Sequence, residues 1–146
     1  MIAQNKSLIA YCGLYCGDCP FHKTEDNIPD LARDLRGILR KYKFESITQE
    51  IPLREFKHYK ECYQYLGAMV RLRCRRSCRN GGGNPFCKIR KCCQKKGYDG
   101  CWECGEFEEC KKLKQMRSVH KNALLLNLKN IRKRGVYNFI EGKRYW

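Results

Sequence analysis

Long apolar runs are missing from this 146-residue chain. No stretch approaches the roughly 18 consecutive apolar residues that a membrane span requires, so no membrane partner is expected. Leu, Ile, Val, Phe and Met are sparse for this length, and mean hydropathy is -0.70. Burial alone then leaves little surplus over chain entropy, and some further staple is required. Histidine is scarce as well. His22, His58 and His120 form no recognisable ligand pair and no nucleophile motif accompanies them, so the usual basis for a catalytic zinc site is missing and the sequence leans against an enzyme. Acidic residues are outnumbered, 15 Asp and Glu against 31 Lys and Arg. There is no internal repeat, low-complexity tract or linker.

Cysteine is abundant instead, with twelve in the chain. At this density thiols are either a disulfide framework or metal ligands, and the redox compartment decides between them. The stretch "MIAQNKSLIAYCGLYC" holds one lysine and a three-residue apolar run. It does not read as a secretory signal, so a cytoplasmic protein that keeps its thiols reduced is expected. The formal charge of +16 counts every cysteine as neutral. Each four-thiolate zinc site carries a net charge of −2, and three such sites would bring the total to about +10. The surface stays basic, which favours nucleic acid or an acidic protein as partner.

Helical periodicity brackets a stretch without it. Residues 29–44 place Leu31, Leu35, Ile38, Leu39 and Tyr42 on one stripe, and residues 52–73 do the same with Phe56, Tyr59, Tyr63, Leu66 and Val70. Both stripes read as core faces, with Tyr59, Tyr63 and Tyr65 packing rather than stacking on bases. Residues 73–110 hold eight cysteines and a triple glycine but no apolar run longer than a pair. Metal is the physical reason available for that segment to be ordered. Beyond it, Val119, Leu124, Leu125, Leu128 and Ile131 mark a helix that ends in basic residues and Gly135. The tail "VYNFIEGKRYW" is expected to fold back as a short helix that covers Phe139 and Trp146. The expected fold is a single mostly α, small, irregular, metal-braced domain over 1–146. Its amphipathic helices surround a cysteine-rich zinc-knuckle centre with little or no β-sheet, 73–110 being the braced segment and 114–146 a helical extension.

The cysteines form three clusters by spacing: Cys12, Cys16 and Cys19; Cys74, Cys78, Cys87 and Cys92; and Cys101, Cys104 and Cys110. Two cysteines separated by two residues can both reach one ion at about 2.3 Å, because the intervening turn curls around it. "CGDC" and "CWEC" are of this kind. The first and third clusters offer three donors each and need a fourth from elsewhere. His22 in "CPFH" is one candidate for the first, although an exposed loop histidine is the plainer reading, and Cys93 or a remote cysteine is a candidate for the third. His58 and His120 read as surface residues, and Cys62 as a buried free thiol. Zinc is the expected metal, with an iron-sulfur cluster as the alternative, since thiolates serve both. The C-x3-C-x2-C spacing of the first cluster also occurs in radical enzymes, but the chain is too short and shows no alternation of strands and helices for their barrel.

The order "YCGLYCGDCP", amphipathic helix, "CRRSC", "CKIRKCCQKKGYDGCWECGEFEECKKL" resembles the prokaryotic cysteine-rich family known as domain of unknown function 3795, over about residues 11–113. The resemblance carries over Cys12, Cys16, Cys19, Cys74, Cys78, Cys87, Cys92, Cys101, Cys104 and Cys110 as a ligand set, and does not single out Cys62 or Cys93. Relatives tend to have a shorter C-x-G-C turn where this chain has "CRRSC", and an "FPC" ending where it has "FEEC". The resemblance implies a small cytosolic metal-binding protein and no particular reaction. The expected function is thus a non-catalytic zinc-binding module. Its basic face would comprise Arg71, Arg73, Arg75, Arg76, Arg79, Lys88, Arg90, Lys91, Lys95 and Lys96. The alternative is an iron-sulfur or thiol redox protein accessory to a larger enzyme, in which Cys101 and Cys104 cycle.

Overall fold

A computed structural model describes residues 6–22 and 27–146. It is mostly helical, and the only β pairing among the described residues is an isolated antiparallel bridge between Ile9 and Tyr15. The chain divides into two compact units, a smaller one of residues 23–73 and a larger one that joins residues 1–22 to 74–146.

The smaller unit is built on α1 (Ile28–Lys41), α2 (Phe44–Glu50) and α3 (Tyr59–Arg71). Asn27 caps α1 by accepting the Asp30 N–H at 2.9 Å, Pro29 fits the first turn, and Arg40 and Lys41 suit the last. The single helix expected over 29–44 breaks near its end, because Lys43 adopts a left-handed φ of 49° before α2 begins. Arg73 donates to Asn27 Oδ1 at 3.0 Å and pairs with Asp30, closing the unit across its ends. α1 packs on α3, where Arg36 lies 4.4 Å from the Tyr63 ring centre against Gly67.

The two apolar stripes do not form the main core. Leu31, Leu35, Ile38 and Tyr42 are all exposed, Leu31 by 56%. Cys62 is exposed too, not buried, because it lines an open apolar groove with Leu35, Leu39, Phe56 and Leu66 that three short helices leave uncovered.

In the larger unit, α4 (Lys88–Lys96), α5 (Lys111–Lys114), α6 (Arg117–His120) and α7 (Ala123–Glu141) alternate with single 3-10 turns at Cys16–Asp18, Cys78–Asn80, Cys101–Glu103 and Phe107–Glu109. α4 corrects the expectation that residues 73–110 carry no regular structure. The Cys87 sulfur accepts the Arg90 N–H at its start, Gly97 closes it at a φ of 68°, and Ile89 and Cys93 give it a buried face. The main core sits here, around Ile9, Ile89, Trp102, Phe107, Leu113, Leu124, Leu128, Ile131 and Phe139. Leu124, Leu128 and Ile131 confirm the helical stripe of α7, whereas Val119 falls in α6 and is exposed. Gly135, at φ 81° and ψ 164°, interrupts α7 where a stop was expected, and the resumed turn buries Phe139 completely; Trp146 stays partly exposed.

Candidate metal centre

All twelve cysteines are free thiols, and all ten of the expected ligands lie in the larger unit. The structure sorts them differently from their order in sequence. Cys16 and Cys19 are joined by Cys74, whose N–H donates to Phe21 O at 2.9 Å and whose carbonyl accepts His22 Nδ1 at 2.7 Å. The charges that bear on Cys16 are those of Cys78, Cys19 and Cys74, and on Cys19 that of Cys74. Cys12 instead faces Cys78 and Cys87. Cys92 leaves its sequence cluster and lines a cavity of about 30 Å³ together with Cys93, Cys101, Cys104 and Cys110. Among the described residues no group of three or more His, Cys, Asp or Glu side chains is placed so that it could hold a metal ion.

The backbone amides of Leu14, Cys78, Phe21 with His22, and Tyr11 act on the Cys12, Cys16, Cys19 and Cys78 thiols respectively, each lowering the thiol's pKa. Amides that converge on sulfur favour the thiolate over the thiol. Burial acts the other way and wins in the bare protein, pushing the Cys12 thiol up to about 12 and the Cys16 thiol up to about 11, with Cys19 and Cys78 also raised. Thiolates are the donor type that zinc and iron take.

Cys93, a candidate for the third group by sequence although the family resemblance does not single it out, lies with that group. It is almost wholly buried, with its sulfur 3.6 Å from that of Cys101. The contact holds a proton on Cys101, raising that thiol and lowering Cys93. The separation is that of two thiols in hydrogen-bonding contact. The signal available in the sequence was only the Cys92-Cys93 doublet, and adjacent helix positions point about 100° apart.

His22 is half-buried and bonded rather than an exposed loop residue. His120 is edge-on to Trp146 at 5.2 Å. Of the basic residues, Arg75, Arg76, Lys88, Lys91, Lys95 and Lys96 are exposed. Arg90 turns inward and donates to Cys78 O, Gly82 O and Asn84 O at 3.0, 2.7 and 2.8 Å. Arg79 donates to Ile9 O at 2.7 Å and to Asp99 Oδ1 at 2.9 Å, beneath the rings of Tyr11 and Trp102. In the smaller unit, Arg71 is exposed and Arg73 is held by Asp30.

A family model described as Protein of unknown function (DUF3795) matches residues 8–115, well over half of the chain. The chain belongs to this family. The DUF3795 span contains every cysteine and stops before α7, so Leu124, Leu128, Ile131 and Phe139 complete its core from outside it. No curated protein and no solved structure matches the chain. No helix among the described residues is long and apolar enough to cross a membrane.

Proposed function

We propose that this protein is a zinc-binding, non-catalytic module in which thiolate-bound metal fixes the segments around Cys12–Cys19 and Cys74–Cys110. One observation supports the reading above the others. Eleven free thiols from segments far apart in sequence lie in three neighbourhoods, Cys16 with Cys19 and Cys74, Cys12 with Cys78 and Cys87, and Cys92 with Cys93, Cys101, Cys104 and Cys110. Zinc bound there would supply folding free energy directly, which a chain with this little apolar burial needs. Removing zinc from the purified protein with a strong chelator should collapse its near-ultraviolet dichroism, and re-addition should restore it. A spectrum indifferent to chelation contradicts the proposal.

The module's outward chemistry is basic. Arg75, Arg76, Lys88, Lys91, Lys95 and Lys96 remain in solvent, where they can neutralise phosphates without reading sequence. Filter binding to mixed-sequence RNA and DNA should show retention at low salt that falls steeply as salt rises. No retention at low salt removes the nucleic-acid part of the reading and leaves an acidic protein as the partner class.

A further inference from the structure

One face of α1 is occupied within its own unit and another is not. Pro29 and Ala32 are buried and Arg36 lies on the Tyr63 ring of α3, which marks the inward face. Ile28, Leu31, Leu35, Ile38 and the cap residue Tyr42 form a second stripe, and all five are exposed, from 38% at Ile28 to 62% at Tyr42. Their spacing alternates three and four residues, the a and d pattern of a coiled-coil seam. A helix face that ends in solvent has no packing reason to keep that period. The surface that fits it is another α-helix, whose side chains set into the holes between its own.

The charges beside the seam select the occupant. We propose that this face is a self-association surface, on which α1 of a second copy packs antiparallel. With Leu35 and Tyr42 at a and Leu31 and Ile38 at d, Asp34 and Lys41 take the g positions that border the seam. An antiparallel pair sets g against g. With Leu35 opposite Ile38 of the partner subunit, and Leu31 opposite Tyr42 of the partner subunit, Asp34 of each copy meets Lys41 of the other. The same contact occurs twice, as a two-fold interface demands. A parallel pair would instead set Asp34 against Leu39, at e, and leave both charges unmatched. Both groups are available. Asp34 has a long contact of 3.7 Å to Arg33, and both of those side chains are exposed. Lys41 lies 5.4 Å from the Tyr42 ring and pairs with no acidic side chain among the described residues.

The groove of this unit is continuous with the seam. Leu35 belongs to both, and Leu39 at e lies on the flank that carries Cys62 and Leu66. In an antiparallel pair the e flanks also face each other, so the two groove mouths meet and one association removes both apolar surfaces from water. The proposal stands apart from the metal reading, since Cys62 is the one cysteine of the smaller unit.

Sedimentation of the full chain in reducing buffer, over a range of concentrations, tests this. The expected mass is twice the 17.3 kDa of the chain. Ile38→Glu, at an exposed position, should keep the far-ultraviolet dichroism of wild type and sediment as a single chain. Asp34→Lys and Lys41→Asp should each weaken the dimer by about tenfold, because two exposed ion pairs become repulsions, and the two combined should restore it. A single-chain mass at every concentration overturns the proposal and leaves the seam to a helix of another protein. A dimer that keeps its affinity in Ile38→Glu or in both single charge variants overturns it as well. Charge variants that weaken the dimer singly and do not rescue it together overturn the antiparallel pairing.

Discussion

Arg90 separates a structural role from a phosphate-binding one. Its side chain is buried, and its guanidinium gives three hydrogen bonds to the carbonyls of Cys78, Gly82 and Asn84. Those bonds close the loop that carries two of the proposed ligands, Cys78 and Cys87. In Arg90→Ala all three carbonyls lose a charged donor. Gly82 and Asn84 lie near or at the surface and regain water, so about 1 kcal/mol per bond is the appropriate figure and about 3 kcal/mol the total. With a urea dependence of about 2 kcal/mol per molar, the unfolding midpoint of the metal-loaded protein should fall by roughly 1.5 M. Arg75→Ala, which removes an exposed arginine, serves as the control and should stay within about 0.5 kcal/mol of wild type. The assay is urea unfolding followed by tryptophan fluorescence, since Trp102 is buried beside the same core. Equal midpoints for the two variants would refute the reasoning.

Phe107→Ala removes a side chain that is 1% exposed and covered by Arg132 at 4.6 Å, and should cost about 3–5 kcal/mol, read as a lowered thermal midpoint; a loss below about 1 kcal/mol contradicts the placement of the core. Gly82→Ala would set a Cβ 1.7 Å from Arg76 O and should destabilise far more than Gly81→Ala, which meets no atom within 4 Å and costs about 1 kcal/mol for its positive φ; comparable midpoints would contradict the close approach. pH dependence should change sign with metal. In the metal-free protein, Cys12 and Cys16 are held neutral above the ordinary thiol value near 9, so their stabilising contribution is intact below pH 9 and is lost as pH rises through about 11 and 12. With metal bound the ligands must be deprotonated, and stability should instead fall as the solution is acidified. Melting temperatures across pH with and without chelator check this, and parallel curves would contradict it.

The sequence made the helical stretches legible because helix periodicity is local. α1 carries Pro29 in its first turn, and α7 carries its buried stripe in Leu124, Leu128 and Ile131. It misled on where the core lies, since an apolar stripe specifies a face but not whether enough chain exists to cover it. Leu31 and Ile38 therefore stand in solvent while Trp102 and Phe107, in a segment without periodicity, are buried. α4 escaped notice because its face is made of Ile89 and two adjacent cysteines, and its caps are a thiol and a glycine. Arg79 and Arg90 look like any other surface cations in a basic run, and only the fold reveals the carbonyls they reach. The cysteines were recognisable as a set. Their grouping was not, because Cys74 meets Cys16 and Cys19 only after the intervening unit has returned the chain beside Phe21.

Zinc and iron content of the protein purified without oxygen, combined with its mass under non-denaturing conditions, addresses the central claim most directly. Three zinc ions per chain, with the proposed ligand thiols shielded from alkylation until the metal is stripped, is the result this account predicts. A chain that carries no metal, or whose mass shows these sulfurs joined in disulfides, would contradict it.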